Sequence, residues 1–217
     1  MKLSFTIIVI SLTLLILGCG EEQGATEISE GPDNAEVMDP ESESESVLTY
    51  TGNVIVTNRQ QLEGLRGYGV IQGNVFINPL AMADLEPLSS LERIEGTLDI
   101  AYDRLQVQSL KSLYGLQALR AISGYVQIEN CNLLEHLGGL EALRVVGASL
   151  SVYNNDGLRS VDALSNIELV GMNLNILNNP SLPCYEAEAL VEGLGENSVG
   201  GIVSVQNNGD AVGATCP

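Results

Sequence analysis

The sequence contains no tryptophan, two phenylalanines and a single histidine in 217 residues. Aromatics amount to 4% while apolar residues reach 45%, so a sizeable core is available and it must be aliphatic. Basic residues are scarce too: nine Lys and Arg stand against 28 Asp and Glu, a net charge of −19. Without a basic patch, neither nucleic acid nor an anionic membrane surface is a fitting partner. One histidine, His136, is too few for a His-based metal site and removes most His-dependent catalytic arrangements. No Gly-x-Ser-x-Gly elbow surrounds Ser112 or Ser160. Nothing in these residues asks for a metal or a cofactor.

A comfortable membrane span is missing as well. The apolar stretch Leu3 to Leu17 is interrupted by Ser4, Thr6, Ser11 and Thr13, and a span wants about 20 apolar residues. With Lys2 ahead of it, the stretch reads as a signal peptide over residues 1–18. Its end, Ile16-Leu17-Gly18-Cys19, resembles a bacterial lipobox. That resemblance implies cleavage before Cys19 and acylation of Cys19, which anchors the chain to the membrane through its N-terminal lipid. More than one acyl chain is needed, because a single chain binds membranes only marginally. Gly20 follows, and by the same resemblance the absence of Asp there implies an outer-membrane or cell-surface location.

Residues 19–46 read as the lipidated Cys and an acidic tether. From Gly20 to Ser46 there are ten acidic and no basic side chains, ending in Glu41-Ser42-Glu43-Ser44-Glu45-Ser46. Such a segment cannot bury enough surface to order itself, and as a flexible coil it reaches roughly 30 Å. The remaining residues, 47–217, form the folded domain.

There the sequence is periodic. Gly52, Gly73, Gly96, Gly124, Gly147 and Gly171 are spaced by 21, 23, 28, 23 and 24 residues. An apolar-x-apolar step follows each: Val54/Val56, Val75/Ile77, Leu98/Ile100, Val126/Ile128, Leu150/Val152 and Leu174/Ile176, with Val203/Val205 after Gly201. Alternation over so few residues predicts short strands with one buried face. Behind the strands the period becomes three, as in Leu134, Leu137, Leu140, Leu143 and Val146. The series Leu158 to Val170, Leu85 to Ile94 and Leu110 to Ile122 repeat it. A spacing of three aligns side chains on one side of a 3₁₀-like path. Such coils bury their apolar sides only by stacking. Asn recurs after the strands, at Asn130, Asn154, Asn155, Asn178, Asn179, Asn207 and Asn208, where it is expected to satisfy the main chain of a tight corner.

Gly-x-Leu-x-Ile, then Asn, then Leu-x-x-Leu-x-x-Leu-x-x-Ile resembles the receptor L domain and the bacterial surface lipoproteins that carry its repeat. The resemblance covers Thr51 to about Leu182. It implies a mainly β fold: a right-handed single-stranded β-helix, or leucine-rich-repeat-like solenoid, of about six to seven coils with a short C-terminal capping helix. The cap is expected over 183–217. Within it, Pro183 to Gly195 predicts a helix with Tyr185, Ala189, Leu190 and Leu194 on one face. In an oxidising compartment Cys184 and Cys216 are the natural disulfide pair, closing a loop of about 33 residues worth about 3–4 kcal/mol. Cys131 is expected to be a free thiol.

The outward strand positions Ile55, Phe76, Asp99, Gln127, Ser151, Asn175 and Ser204, flanked by Tyr125 and Tyr153, form the candidate binding face. Ile55 and Phe76 are the residue types that anchor interfaces. The leading expectation is a non-catalytic, lipid-anchored surface domain that binds an unidentified protein or glycan. A structural envelope lipoprotein without a specific ligand is the alternative. A carbohydrate-active β-helix enzyme, using carboxylates such as Asp99, Asp103 and Glu129, comes third.

Overall fold

The structure, a computed structural model, describes residues 47–78, 82–100, 109–195 and 197–209. Signal peptide, tether, Cys19, Asp103 and Cys216 lie outside them. In chain order the first strands are β1 (Thr49–Thr51), β2 (Val54–Val56), β3 (Val70–Gln72), β4 (Val75–Ile77), β5 (Arg93–Ile94) and β6 (Leu98–Ile100). Then come β7 (Ala121–Ile122), β8 (Val126–Glu129), β9 (Val145–Val146), β10 (Leu150–Tyr153), β11 (Leu169–Val170), β12 (Leu174–Leu177) and β13 (Val203–Gln206). Helix α1 (Arg59–Glu63) lies between β2 and β3, and α2 (Cys184–Gly193) between β12 and β13.

Every strand pairing is parallel. A seven-stranded sheet runs β2-β4-β6-β8-β10-β12-β13, and a six-stranded one runs β1-β3-β5-β7-β9-β11. The chain is therefore a parallel-strand β-solenoid. All seven apolar-x-apolar steps stand as strands of the larger sheet. The smaller sheet has no signal of its own, because strands of two residues such as Arg93–Ile94 are too short to show alternation.

Between the sheets the chain turns in threes. Main-chain bonds of the i to i+3 kind join Leu85 to Leu88, Leu88 to Leu91, Leu137 to Leu140 and Leu140 to Leu143, as the eclipsed spacing requires. The register Ile94–Ile122–Val146–Val170 then fixes the columns behind it. Counting back in threes gives Leu91, Leu119, Leu143 and Ile167, then Leu88, Leu116, Leu140 and Leu164, all buried. The glycine period has a steric origin. A Cβ on Gly147 would collide with the Ser123 carbonyl oxygen of the coil before, and one on Gly171 with that of Gly147.

After β8, β10, β12 and β13 the corner of the coil is closed by asparagine. Asn130, Asn154, Asn178 and Asn207 take positive φ values of 56–57°, which Asn tolerates better than most residues. The following residues, Asn155, Asn179 and Asn208, are buried. The Asn179 Oδ1 accepts the Asn155 main-chain N–H at 3.1 Å, and its Nδ2 donates to the Val152 carbonyl at 3.1 Å. Asn155 and Asn208 repeat both bonds one coil to either side, to Cys131 N–H and Ile128 O, and to Asn179 N–H and Ile176 O.

The N-terminal end, where the sequence gives no cap, is covered by α1. Asn58 caps it by accepting the Gln61 N–H, and Leu62 and Leu65 are buried. Arg59 bonds Asp84 at 2.9 Å, and Arg66 bonds Glu86 at 2.7 Å and Glu63 at 2.8 Å. The Arg66 hydrogen bonds hold the carboxyls of Glu63 and Glu86 below the usual glutamate range. At the other end α2 forms as expected, but its buried face is displaced. Ala187 and Leu190 are covered, with Val191 and Leu194 beside them, whereas Tyr185 is exposed. Ala189 of the expected face is exposed as well, because the helix turns Ala187 and Leu190 inward, while Glu186 accepts from the Ser160 hydroxyl at 3.4 Å.

Candidate functional site

The seven-stranded sheet carries one column of outward side chains. Its register joins Ile55, Phe76, Asp99, Gln127, Ser151, Asn175 and Ser204 in order, so the expected face exists as a continuous row. Period two fixes this, since from β2 to β12 each inward neighbour, such as Val75 or Ile128, belongs to the core.

Exposure along the row is uneven. Ile55 is 54% exposed, and Phe76, Gln127, Ser151, Asn175 and Ser204 are half-buried. Asp99 departs from the expectation of a solvent-facing residue, being only 6% exposed. Its short side chain sits in the row between the longer Phe76 and Gln127. Periodicity assigns a residue to a face; it does not say what overhangs it.

A second outward row contains Glu129 and Tyr153, directly paired across β8 and β10. Glu129 is buried, its Oε2 accepting the Tyr153 hydroxyl at 2.7 Å and the Gln127 amide at 3.2 Å. Tyr153 and Gln127 are thus tied to a protein carboxylate. Further along, Asn175 donates to Ser151 at 3.0 Å. Tyr125, one residue before β8, is 38% exposed and is the aromatic of the expected face most open to solvent. The apolar, open part of the face therefore lies toward Ile55 and Phe76, and the polar, internally bonded part toward β13.

Behind this face lies Cys131, wholly buried and the free cysteine among the described residues. Burial pushes its thiol up to about 12, and the charges of Glu129 and Asp99 add to the shift. It occupies the corner position that Asn155 fills one coil later, 24 residues on, and its N–H donates to Asn155 Oδ1 at 2.8 Å. Since the thiolate is the reactive form, native protein at pH 8 should resist iodoacetamide at Cys131, and unfolding in denaturant without reductant should expose it. Mass spectrometry of the alkylated peptide checks this; rapid labelling of native protein would contradict the burial.

His136 is exposed and bridges Ser160 of the next coil in parallel fashion, its Nδ1 accepting the Gly138 N–H at 3.2 Å. Among the described residues no three His, Cys, Asp or Glu side chains converge as metal ligands would.

Stacked parallel coils with an aliphatic interior and an asparagine corner define a β-solenoid. Residues 92–194 match the model of the Receptor L domain family, a family of non-enzymatic binding domains. This stretch, from β5 to the end of α2, is a receptor L domain-like β-helix. No curated protein matches the chain.

Proposed function

We propose that the protein is a non-catalytic binding or adhesion domain at the cell surface. It recognises a protein or glycan through the outer face of its seven-stranded sheet and is held to the envelope by lipid on Cys19. The observation that carries this reading is the exposed apolar end of the outward row. Ile55 is 54% exposed beside Phe76 in strand register, in a seven-stranded sheet that buries its other valines and isoleucines from β2 to β12. Interface energy concentrates in such large anchors.

The test uses residues 44–217, which form a compact unit, against arrayed glycans and envelope proteins. Saturable binding is expected, weakened about tenfold or more by Phe76→Ala, the loss of over 1 kcal/mol typical of an anchor. Binding unaffected by Phe76→Ala and Ile55→Ser would remove the face from the reading. No saturable ligand at all would favour a purely structural envelope lipoprotein.

Two further parts of the reading are covalent. The lipid on Cys19 rests on the lipobox resemblance and is tested by the mass of the mature N-terminus. A Cys184–Cys216 disulfide is supported by the position of Cys184, whose Sγ lies 3.4 Å from the Asn208 carbonyl. The chain eight residues before Cys216 therefore already stands beside its proposed partner. A non-reduced peptide map should join these two and leave Cys131 alone.

A further inference from the structure

The two ends of the stack are finished differently. At the first, α1 belongs to the opening coil and packs against β2, whose Val54 and Val56 are buried at 6% and 0% exposure. At the last, β13 is the edge strand among the described residues and pairs with β12. Val203 and Val205 continue, in register, the inward columns of Leu174 and Ile176, which are fully buried. Yet Val203 is 40% exposed and the adjoining Ile202 68%. Between β13 and α2 runs a groove of about 270 Å³ lined by Glu188, Val191, Glu192, Val203 and Val205.

The backbone there is directional. The Ile202 and Gln206 carbonyls accept from Leu174 and Asn178 of β12. By the alternation of a parallel ladder, the peptide groups of Val203 and Val205 point to the open edge. The groove thus offers apolar side chains and a strand edge together, the combination used when an extended segment adds to a sheet. One wall carries Glu188 and Glu192, a turn apart on α2 and alike in charge.

We propose that this end groove docks an extended, basic segment of a partner protein, which adds to β13 as a further strand. Its apolar side chains lie on Val191, Val203 and Val205, and a Lys or Arg reaches Glu188 and Glu192. Charge selects this occupant. A second copy would bring a net charge of −19 to an acidic groove. The chain's own last residues, Asp210 to Pro217, carry an acid and no base. The proposal is independent of ligand binding on the outer sheet face.

The experiment titrates the full chain, in detergent, with a fluorescein-labelled octapeptide alternating valine and lysine, beside one alternating valine and glutamate. The lysine peptide should bind saturably and slow amide exchange across 202–206 about tenfold or more, as new strand bonds do. Glu188→Lys with Glu192→Lys should weaken it about tenfold, the worth of two exposed ion pairs, and favour the glutamate peptide. Val203→Asp, at an exposed position, should abolish binding of either, with exchange across β8 unchanged as the check on folding. Four results overturn the proposal. They are unaltered exchange at 202–206 with peptide saturating, and equal binding of the lysine peptide by the charge-reversed variant. The others are exchange at 202–206 already as slow as in β12 without peptide, and a dimer whose formation slows those same amides.

Discussion

Asn179→Ala should lower the unfolding free energy by about 3–5 kcal/mol, since a buried polar group left unsatisfied costs about 1–3 kcal/mol. The side chain is fully buried and works in both directions along the stack. Its Oδ1 accepts the Asn155 N–H at 3.1 Å and the Asn155 amide at 3.2 Å. Its Nδ2 donates to the Val152 carbonyl at 3.1 Å and to Asn208 Oδ1 at 3.0 Å. Alanine removes all four bonds and opens a small void. Urea unfolding of the variant measures the loss. A double variant with Asn155→Ala should lose less than the two single losses together, because the pair shares partners. A change below 1 kcal/mol would mean that the ladder contributes little beyond what water supplies.

Leu140→Ala should cost about 2–5 kcal/mol through lost transfer energy and the cavity left behind. Leu140 is wholly buried in the column between Leu116 and Leu164, and rigid neighbours above and below hinder collapse of the space. Its neighbour Glu141 is exposed, and its carboxylate accepts the Gly139 N–H at 2.8 Å. Glu141→Ala should therefore cost no more than about 1 kcal/mol. Equal losses at 140 and 141 in the same urea titration would show that the threefold phase is misassigned.

The parts of this fold visible in the sequence are those where one residue type recurs under a fixed geometric demand. The glycines mark coils because a neighbouring carbonyl occupies the space of a Cβ, as at Gly147 and Gly171. The leucines mark them because a threefold turn returns each to the same column. Helix α1 escaped notice for the opposite reason: five residues, Arg-Gln-Gln-Leu-Glu, bury one leucine and show no period. The face of α2 differs from the expected one because Tyr185 is apolar enough to read as buried, whereas Ala187 and Leu190 are the residues the helix buries. For the candidate site, periodicity placed the seven residues in one row. It could not foresee that Asp99 would be overhung or that Gln127 and Tyr153 would turn to Glu129, since those depend on side-chain length and partners in adjacent coils.

The corner asparagines also set an arithmetic for changes in chain length. Asn155 and Asn179 are 24 residues apart, as are the paired strand positions Val126, Leu150 and Leu174. Removing or duplicating 24 residues between β8 and β12 would leave every column, glycine contact and corner bond with a successor of the same kind. A change of one residue within a strand would send each following side chain to the opposite face. The coil from Gly96 to Gly124, at 28 residues, adds its extra length after β6 and before Leu110, where the threefold series has not yet begun. The coil from β12 to β13, where Leu174 pairs with Val203, takes up its extra length in α2. Lineages of such a chain would therefore differ by whole coils or by insertions at seams of these kinds.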